Sequence, residues 1–120
     1  MAFSNYKDLI VWQKAMDLTV EVYRLIKRLP KEETYALSDQ MRRSVVSVPS
    51  NIAEGHGRET KNEFRNFLSF ARGSLSEIET QLLICVRLGY LLECDTKVAL
   101  SLSNEIERML TVLIIQLKKS

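Results

Sequence analysis

Basic side chains at helical spacing are the residues of this 120-residue chain best suited to bind a ligand. Arg58, Lys61 and Arg65 follow one another at intervals of three and four residues, and Arg72 lies seven residues further along. On a helix, such intervals place side chains along one face. Guanidinium and ammonium groups in this arrangement suit contacts with backbone phosphates, which give salt-sensitive affinity that does not depend on base sequence. The predicted nucleic-acid-binding residues are Arg42, Arg43, Arg58, Lys61, Arg65 and Arg72.

The charge distribution along the chain agrees with this position of the basic surface. The formal net charge is only +2, but residues 24–72 carry 10 Lys and Arg against 6 Asp and Glu. Within that range, Arg24, Lys27 and Arg28 could extend the surface onto a neighbouring helix. The alternative interpretation is a solvated face whose charge is partly neutralised by nearby acids such as Glu63. The salt dependence of nucleic-acid binding distinguishes these two interpretations, because phosphate binding must weaken steeply as the salt concentration rises.

The segment from Asn51 to Arg58 is the most distinctive local sequence. One hypothesis makes Asn51, Glu54, His56 and Arg58 converge as an acid–base site. We favour a structural turn, because glycines allow tight backbone conformations without any chemistry. His56 has no positioned nucleophile beside it, so we expect a solvated turn residue and a protein that is not an enzyme. The predicted turn residues are Asn51, Glu54, Gly55 and Gly57.

The sequence does not contain the usual metal and catalytic motifs of small helical proteins. A di-iron bundle needs Glu-x-x-His pairs, but the residue three positions before His56 is Ala53. Helical ribonucleases of the HEPN type need an arginine shortly before the histidine, and here the nearest, Arg43, is thirteen residues away. Cys85 and Cys94 match no metal-ligand spacing and are expected to be reduced thiols in a cytoplasmic protein. We therefore expect no cofactor and no metal ion.

Apolar periodicity predicts four helices that must position these groups, at about residues 8–29, 38–54, 60–89 and 96–118. The first carries two neighbouring apolar stripes and stops before Pro30. Ser38 is the expected N-cap of the second helix. Pro49 interrupts that helix, so we expect a kink that the neighbouring serine hydroxyls ease.

Local capping signals mark the ends of the last two helices. Thr60 and Glu63 form a capping box, in which each side chain satisfies an unpaired amide of the third helix. Gly89 is expected to end that helix. Asp95 or Thr96 can cap the fourth helix, whose core face carries apolar residues at intervals of three and four.

These elements predict an all-α fold, an antiparallel up-down four-helix bundle that forms a single domain over residues 1–120. The longest uninterrupted apolar run is five residues, far short of the ~18 that a membrane span needs. The apolar faces of the first and last helices are wider than a monomer needs, which predicts a homo-oligomer whose subunits contact one another helix on helix. The predicted interface residues are Leu9, Trp12, Met16, Leu110 and Ile114.

The chain also resembles a known bacterial family, and the resemblance covers nearly its whole length. The residues that carry it are Phe3, Leu9, Val11-Trp12-Gln13, Tyr23, Pro30, Tyr35-x-Leu37, Gln40-x-Arg42-Arg43, Ser50-Asn51-Ile52-Ala53-Glu54-Gly55, Arg58, Glu63-Phe64, Phe67-Leu68, Ala71-x-Gly73-Ser74, Glu77 and Leu88-Gly89-Tyr90. The family is that of the four-helix-bundle 23S ribosomal RNA intervening-sequence proteins. The resemblance implies a small cytoplasmic protein that forms a barrel-like homopentamer. The chain is similar also to accessory variability proteins of diversity-generating retroelements, which bind nucleic acid and a reverse transcriptase.

Two functional hypotheses follow. The first is a non-enzymatic homo-oligomeric bundle, pentameric by resemblance, that binds RNA or another nucleic acid such as DNA through its arginine-rich surface. The second is a protein–protein adaptor for a nucleic-acid enzyme such as a reverse transcriptase, with little affinity of its own for nucleic acid.

Overall fold

The computed structural model describes residues 5–119 as four long helices joined by short connections, without a β-strand in that range. The helices are α1 (Ile10–Ile26), α2 (Leu37–His56), α3 (Lys61–Arg87) and α4 (Glu93–Lys119). Short 3-10 turns at Tyr6–Asp8 and Lys31–Glu33 precede α1 and α2. The prediction of an all-α protein with four helices is therefore confirmed. Phe3, one of the residues that carry the resemblance, lies outside the described residues.

The four helices surround one apolar core. α1 packs against α2 and α4, and α3 packs against the same two helices. Burial of a large aliphatic side chain contributes about 1.5–3 kcal/mol, so the apolar stripes of all four helices turn inward. The largest fully buried side chains are Leu18, Met41, Ile52, Leu68, Leu75, Ile78, Leu82, Ile106 and Leu110.

Leu110 corrects the predicted oligomer interface. Its side chain is 0% exposed and therefore belongs to the core of its own chain. Met16 is 41% exposed, whereas Leu9, Trp12 and Ile114 are half-buried against the core. Periodicity could not separate Leu110 from its neighbours, because the core stripe and the adjacent apolar stripe of α4 lie side by side on the helix.

Pro49 lies within a continuous α2, and the carbonyl group that it leaves unpaired finds a partner in α1. Proline lacks the N–H that would bond to the carbonyl of Val45. The Thr19 hydroxyl of α1 approaches that carbonyl at 3.4 Å and donates to the Ala15 carbonyl at 2.8 Å. The nearby Ser47 hydroxyl donates to the carbonyl of Ser44 instead, at 2.7 Å. The expectation that neighbouring serines relieve Pro49 is wrong for this carbonyl.

Two helix starts differ from their predicted positions. α2 begins at Leu37, whose N–H donates to the Glu33 carboxylate at 3.3 Å, so Ser38 lies inside the first turn and is not the N-cap. α4 begins three residues earlier than expected, at Glu93. Asp95 is therefore its third residue, and its carboxylate accepts from the N–H of Leu92 at 2.8 Å. At α2 the Glu33 carboxylate replaces the expected Ser38 hydroxyl. At α4 the Asp95 carboxylate still accepts an N–H at the helix start, but from within the first turn of the helix.

Both ends of α3 lie close to their predicted positions. At the start, the Thr60 hydroxyl oxygen accepts from the Glu63 N–H at 3.1 Å, and the Thr60 hydroxyl and the Glu63 carboxylate are 3.0 Å apart. At the other end, Gly89 has a φ of +80°. The N–H of Gly89 donates to the carbonyl of Val86, and the N–H of Tyr90 donates to that of Cys85. These two hydrogen bonds form a Schellman motif, which requires a left-handed residue at this position.

None of the helices in the described part of the chain is both long enough and apolar enough to span a lipid bilayer.

Candidate nucleic-acid interface

The segment predicted to be a turn belongs mostly to α2. Asn51, Glu54 and Gly55 are helical, and the Asn51 amide donates to the carbonyl of Ser47 at 2.7 Å. Gly57 caps the C-terminus with an ordinary right-handed φ of −81°. The connection to α3 is therefore shorter than the sequence suggested, and Gly55 has a packing role. A Cβ at Gly55 would lie 2.6 Å from the Cβ of Phe67.

His56 is half-buried at the end of α2, where a solvated residue was predicted. Its ring packs edge-to-face against Phe64 of α3, with ring centroids 5.8 Å apart. This contact places the imidazole in the α2–α3 junction, so the expectation of a solvated side chain is wrong.

Arg58 is fixed above the same junction by two contacts. Its guanidinium lies 4.7 Å from the centre of the Phe67 ring and 3.1 Å from the Glu54 carboxylate. A cation over an aromatic face and an exposed ion pair are each worth about 1 kcal/mol or less. The side chain is therefore oriented, yet a phosphate can still compete for its remaining donors.

Arg42 and Arg43 lie in the first half of α2, away from Arg58. The half-buried Arg42 donates to the carbonyl of Thr34 at 2.9 Å, and Arg43 pairs with Asp39 at 3.1 Å. Arg42 and Glu54, the partner of Arg58, are twelve residues apart, which is about 18 Å along a helix. The six predicted basic residues therefore do not form one compact patch.

Three of these six basic residues, together with two serines, do share one side of α3. We call this group the α3 stripe. Its residues are four, four, three and four positions apart, so each lies about one turn beyond the last. Arg65 contacts the Asn62 side-chain oxygen, and Lys61 is exposed in the first turn. The α3 stripe consists of Lys61, Arg65, Ser69, Arg72 and Ser76.

The far part of the α3 stripe opens into a polar cleft between α3 and α4, the α3–α4 cleft, with a volume of about 580 Å³. Arg72 donates to the Thr111 hydroxyl at 3.2 Å, and that hydroxyl lies 3.2 Å from the Glu107 carboxylate, to which it donates. Positive and negative charges are thus joined through one hydroxyl. The cleft is lined by Ser69, Arg72, Gly73, Ser76, Glu107 and Thr111.

Sequence reasoning missed the α4 side of this cleft. Glu107 and Thr111 are spaced four residues apart, which places them on one face of α4. That spacing was visible in the sequence, but it is also typical of any solvated helix face. Only the packing of α4 against α3 brings Thr111 to Arg72, which is 39 residues away in sequence.

Apolar side chains remain exposed where α4 borders α1. Ile10 of α1 and Val112 of α4 are 59% and 54% exposed. They border the α1–α4 groove, an apolar depression of about 420 Å³ lined by Leu9, Ile10, Val11, Arg108, Met109, Val112, Leu113 and Gln116.

Among residues 5–119, no three His, Cys, Asp or Glu side chains lie close enough together to hold a metal ion.

Comparisons with known proteins agree on one family. Residues 7–112 match the family model of the 23S rRNA-intervening sequence protein. The crystal structure of a protein of unknown function from the S23 ribosomal protein family of Bacteroides thetaiotaomicron VPI-5482 is similar to this chain. The TM-score is 0.81 at 27% sequence identity, over 88% of this chain and 98% of that chain. None of the curated proteins gives a significant match.

Proposed function

The chain belongs to the family of 23S rRNA-intervening sequence proteins, and from that premise we propose that it is a non-enzymatic, cytoplasmic protein that binds nucleic acid through the α3 stripe. The observation that carries this proposal is that three basic residues, Lys61, Arg65 and Arg72, lie on one side of α3, one and two turns apart. Arg58 adds a fourth cation at the start of the stripe, oriented by Phe67. Arg42 and Arg43 can contribute only as a separate contact further along the surface.

Nearby carboxylates do not remove the binding capacity of this surface. The Arg58–Glu54 and Arg43–Asp39 pairs are exposed, and such pairs contribute little free energy in water. A phosphate can therefore replace or share the carboxylate. Lys61 is exposed at the start of the stripe, and the half-buried Arg65 contacts the side chain of Asn62, a neutral partner that does not cancel its charge.

Salt-dependent binding tests this proposal. Fluorescent single-stranded RNA and DNA would be titrated with nuclease-treated protein over roughly 50–300 mM salt, with anisotropy as the readout. We expect affinity to fall linearly on a log–log salt plot. Lys61→Glu combined with Arg65→Glu should reduce the slope by about 1.4, since each single-strand phosphate contact contributes about 0.7.

The matched control reverses two cations elsewhere on the surface. Lys31→Glu combined with Lys97→Glu makes the same change in net charge at two exposed positions near the other end of the bundle, where Tyr90 meets Glu33 and Asp95 meets Arg28. We expect this variant to retain the wild-type slope. Equal losses in the two variants would mean that only net charge matters, and absence of binding by the wild type at low salt would contradict nucleic-acid binding itself.

We further propose that the four helices run alternately up and down. Contacts between α2 and α3 support this arrangement, because they pair residues in opposite order along the two helices. Ser44 of α2 contacts Gln81, and Ser47 contacts Ser74, which comes earlier in α3. The short connections between the helices support the same topology.

We also propose that the bundle assembles into a barrel-like homo-oligomer, which the resemblance makes a pentamer. The support is exposed apolar surface on α1 and α4, including Ile10, Met16, Val20 and Val112. Native mass spectrometry tests it. Val20→Glu should reduce the mass to that of a monomer, whereas Leu83→Glu, a comparably exposed position on α3, should not change it.

A second candidate function is that of an adaptor for a nucleic-acid enzyme such as a reverse transcriptase. The α1–α4 groove favours it, because its apolar lining suits the apolar face of a partner helix. The two functions give different results with salt. An adaptor would bind nucleic acid poorly by itself, and its complex with the partner protein would persist at high salt.

A further inference from the structure

The α3–α4 cleft differs from a simple anion site in the charges that line it. The Arg72 guanidinium supplies hydrogen-bond donors, whereas the Glu107 carboxylate supplies only acceptors. The Thr111 hydroxyl connects them, with distances of 3.2 Å on either side. A bare phosphate would be attracted by Arg72 and repelled by Glu107. The fitting ligand therefore carries a negative group next to a hydroxyl donor.

The cleft also has the size and access that such a ligand needs. Its volume of about 580 Å³ falls within the ~300–1,000 Å³ range of small-molecule sites. Gly73 keeps it open, since a Cβ placed there would have no atom within 4 Å among the described residues. Ser69 and Ser76 are exposed on either side of Gly73 and offer two further hydroxyls.

A ribose with its phosphate combines these chemical features. Guanidinium groups bind phosphate oxygens in a forked geometry, and a carboxylate accepts strongly from a hydroxyl. The 2′-hydroxyl is the donor that distinguishes RNA from DNA at such a site. Lys61 and Arg65 precede the cleft on the same side of α3, so a strand that follows the stripe arrives there.

We infer that the α3–α4 cleft holds one nucleotide of RNA, with Arg72 on a phosphate and Glu107 accepting from the adjacent 2′-hydroxyl. This inference rests on the proposed nucleic-acid binding and specifies its ligand. The protein prefers RNA to DNA, because a deoxyribose offers the Glu107 carboxylate no donor in addition to the Thr111 hydroxyl and leaves that carboxylate near a phosphate.

Oligonucleotides of uridine and of deoxyuridine carry the same base, so a comparison of their affinities measures the contribution of the 2′-hydroxyl alone. The wild type should bind the ribose strand about tenfold more tightly, as expected for one charge-assisted hydrogen bond. Glu107→Ala should abolish the preference without weakening binding of the deoxy strand. The control Glu93→Ala removes the same charge from the exposed first turn of α4, fourteen residues before Glu107, and should retain the preference.

A second variant tests the cleft by filling it. Gly73→Leu is expected to fold, because a side chain there meets open space, and it should also lose the preference for RNA. Helix content by circular dichroism and native mass would be compared for every variant. Equal affinity of the wild type for both strands, or a preference that persists in Glu107→Ala, would overturn this inference while leaving the proposed function intact. Failure to bind either strand would overturn the proposed function as well.

Discussion

At the scale of single residues, Gly55 shows how a missing side chain sets the distance between two helices. It lies inside α2, where its backbone faces Phe64 and Phe67 of α3. A Cβ at this position would lie 2.6 Å from the Cβ of Phe67, 3.0 Å from a ring carbon of Phe64 and 3.3 Å from the Phe64 carbonyl oxygen. Two of these three atoms are held close to the backbone, so the helices themselves would have to move apart.

Gly55→Ala should therefore destabilise the protein by about 1–3 kcal/mol, although alanine favours a helix by about 1 kcal/mol over glycine. The matched control is Gly73→Ala in α3, where a Cβ meets open space, and it should stabilise by up to about 1 kcal/mol. Urea unfolding followed by circular dichroism measures both changes. If both variants gained stability equally, the close approach at Gly55 would not be real.

The two cysteines illustrate the same dependence on surroundings. Cys85 is buried in the core and its sulfur lies 3.7 Å from that of Met41. Burial raises the pKa of the Cys85 thiol to about 11, and the negative charge of Glu33 contributes further. Cys94 is exposed at the start of α4.

Since the thiolate is the reactive form, a disulfide reagent at about pH 8 should modify Cys94 rapidly and Cys85 only after unfolding. Absorbance should report one reactive thiol per native chain and two in denaturant. Cys94→Ser should remove the rapid phase. Two rapid thiols in the folded wild type would contradict the burial of Cys85.

At the scale of helices, Gly89 decides where α3 ends. Its φ of +80° permits the two hydrogen bonds that return to Val86 and Cys85. A Cβ at Gly89 would have no atom within 4 Å among residues 5–119, so the demand for glycine comes from the backbone alone. Crowding by a neighbouring helix is thus absent at Gly89, in contrast to Gly55.

Gly89→Ala should cost about 1–2 kcal/mol, the penalty of a left-handed conformation for a residue with a Cβ. Gly89→Asn should cost less, because asparagine tolerates this conformation through local hydrogen bonds. Urea unfolding midpoints would establish the order glycine, asparagine, alanine. Equal stability of the alanine and glycine proteins would mean that the chain leaves α3 by a different turn.

At the scale of the whole molecule, the two connections at one end of the bundle are joined to each other. The Tyr90 hydroxyl, which follows α3, donates to the Glu33 carboxylate before α2 at 2.8 Å. That hydrogen bond raises the pKa of Tyr90, with burial and nearby carboxylates adding to the shift. Arg28, which follows α1, pairs with Asp95 in the first turn of α4 at 2.9 Å. Residues distant in sequence thereby fix the relative positions of all four helices at this end.

The Asp95 ion pair predicts an acid dependence of stability. The Arg28 guanidinium lowers the pKa of the Asp95 carboxyl, and the Leu92 N–H lowers it further. Because the pKa of Asp95 is lower in the folded state, the ionised carboxylate stabilises the protein at pH values above the ordinary pKa of about 3.9. This stabilisation is lost as the pH falls through the pKa of the folded state. Asp95→Asn should therefore be less stable than the wild type at neutral pH, and the gap should narrow below about pH 4.

Urea midpoints at neutral pH and near pH 3 would measure this gap. Asparagine can still accept from Leu92, so the comparison isolates the charge. Arg28→Gln removes the other partner and should show the same narrowing. A gap that stays constant over the whole pH range would show that the ion pair does not act on folding.

Features that depend only on neighbours within a few residues could be predicted from the amino-acid sequence. The number of helices, their apolar stripes, the Thr60 cap and the Gly89 terminus follow from side-chain spacing and local hydrogen bonding. The family could be predicted from the sequence as well, because its motifs extend over most of the chain. The six basic residues were also visible, but not which of them share a surface.

Tertiary packing determines how residues on different helices meet. It joined Arg72 to Thr111, brought Thr19 to the carbonyl left free by Pro49, buried Leu110 and placed Gly55 against Phe67. Successive residues of a helix are about 100° apart around its axis, so periodicity locates the face of a residue to within about that angle. It contains no information on the rotation or axial position of the neighbouring helix. Those two quantities are set by the packing of the whole core, and they determine which side chains come within hydrogen-bond distance.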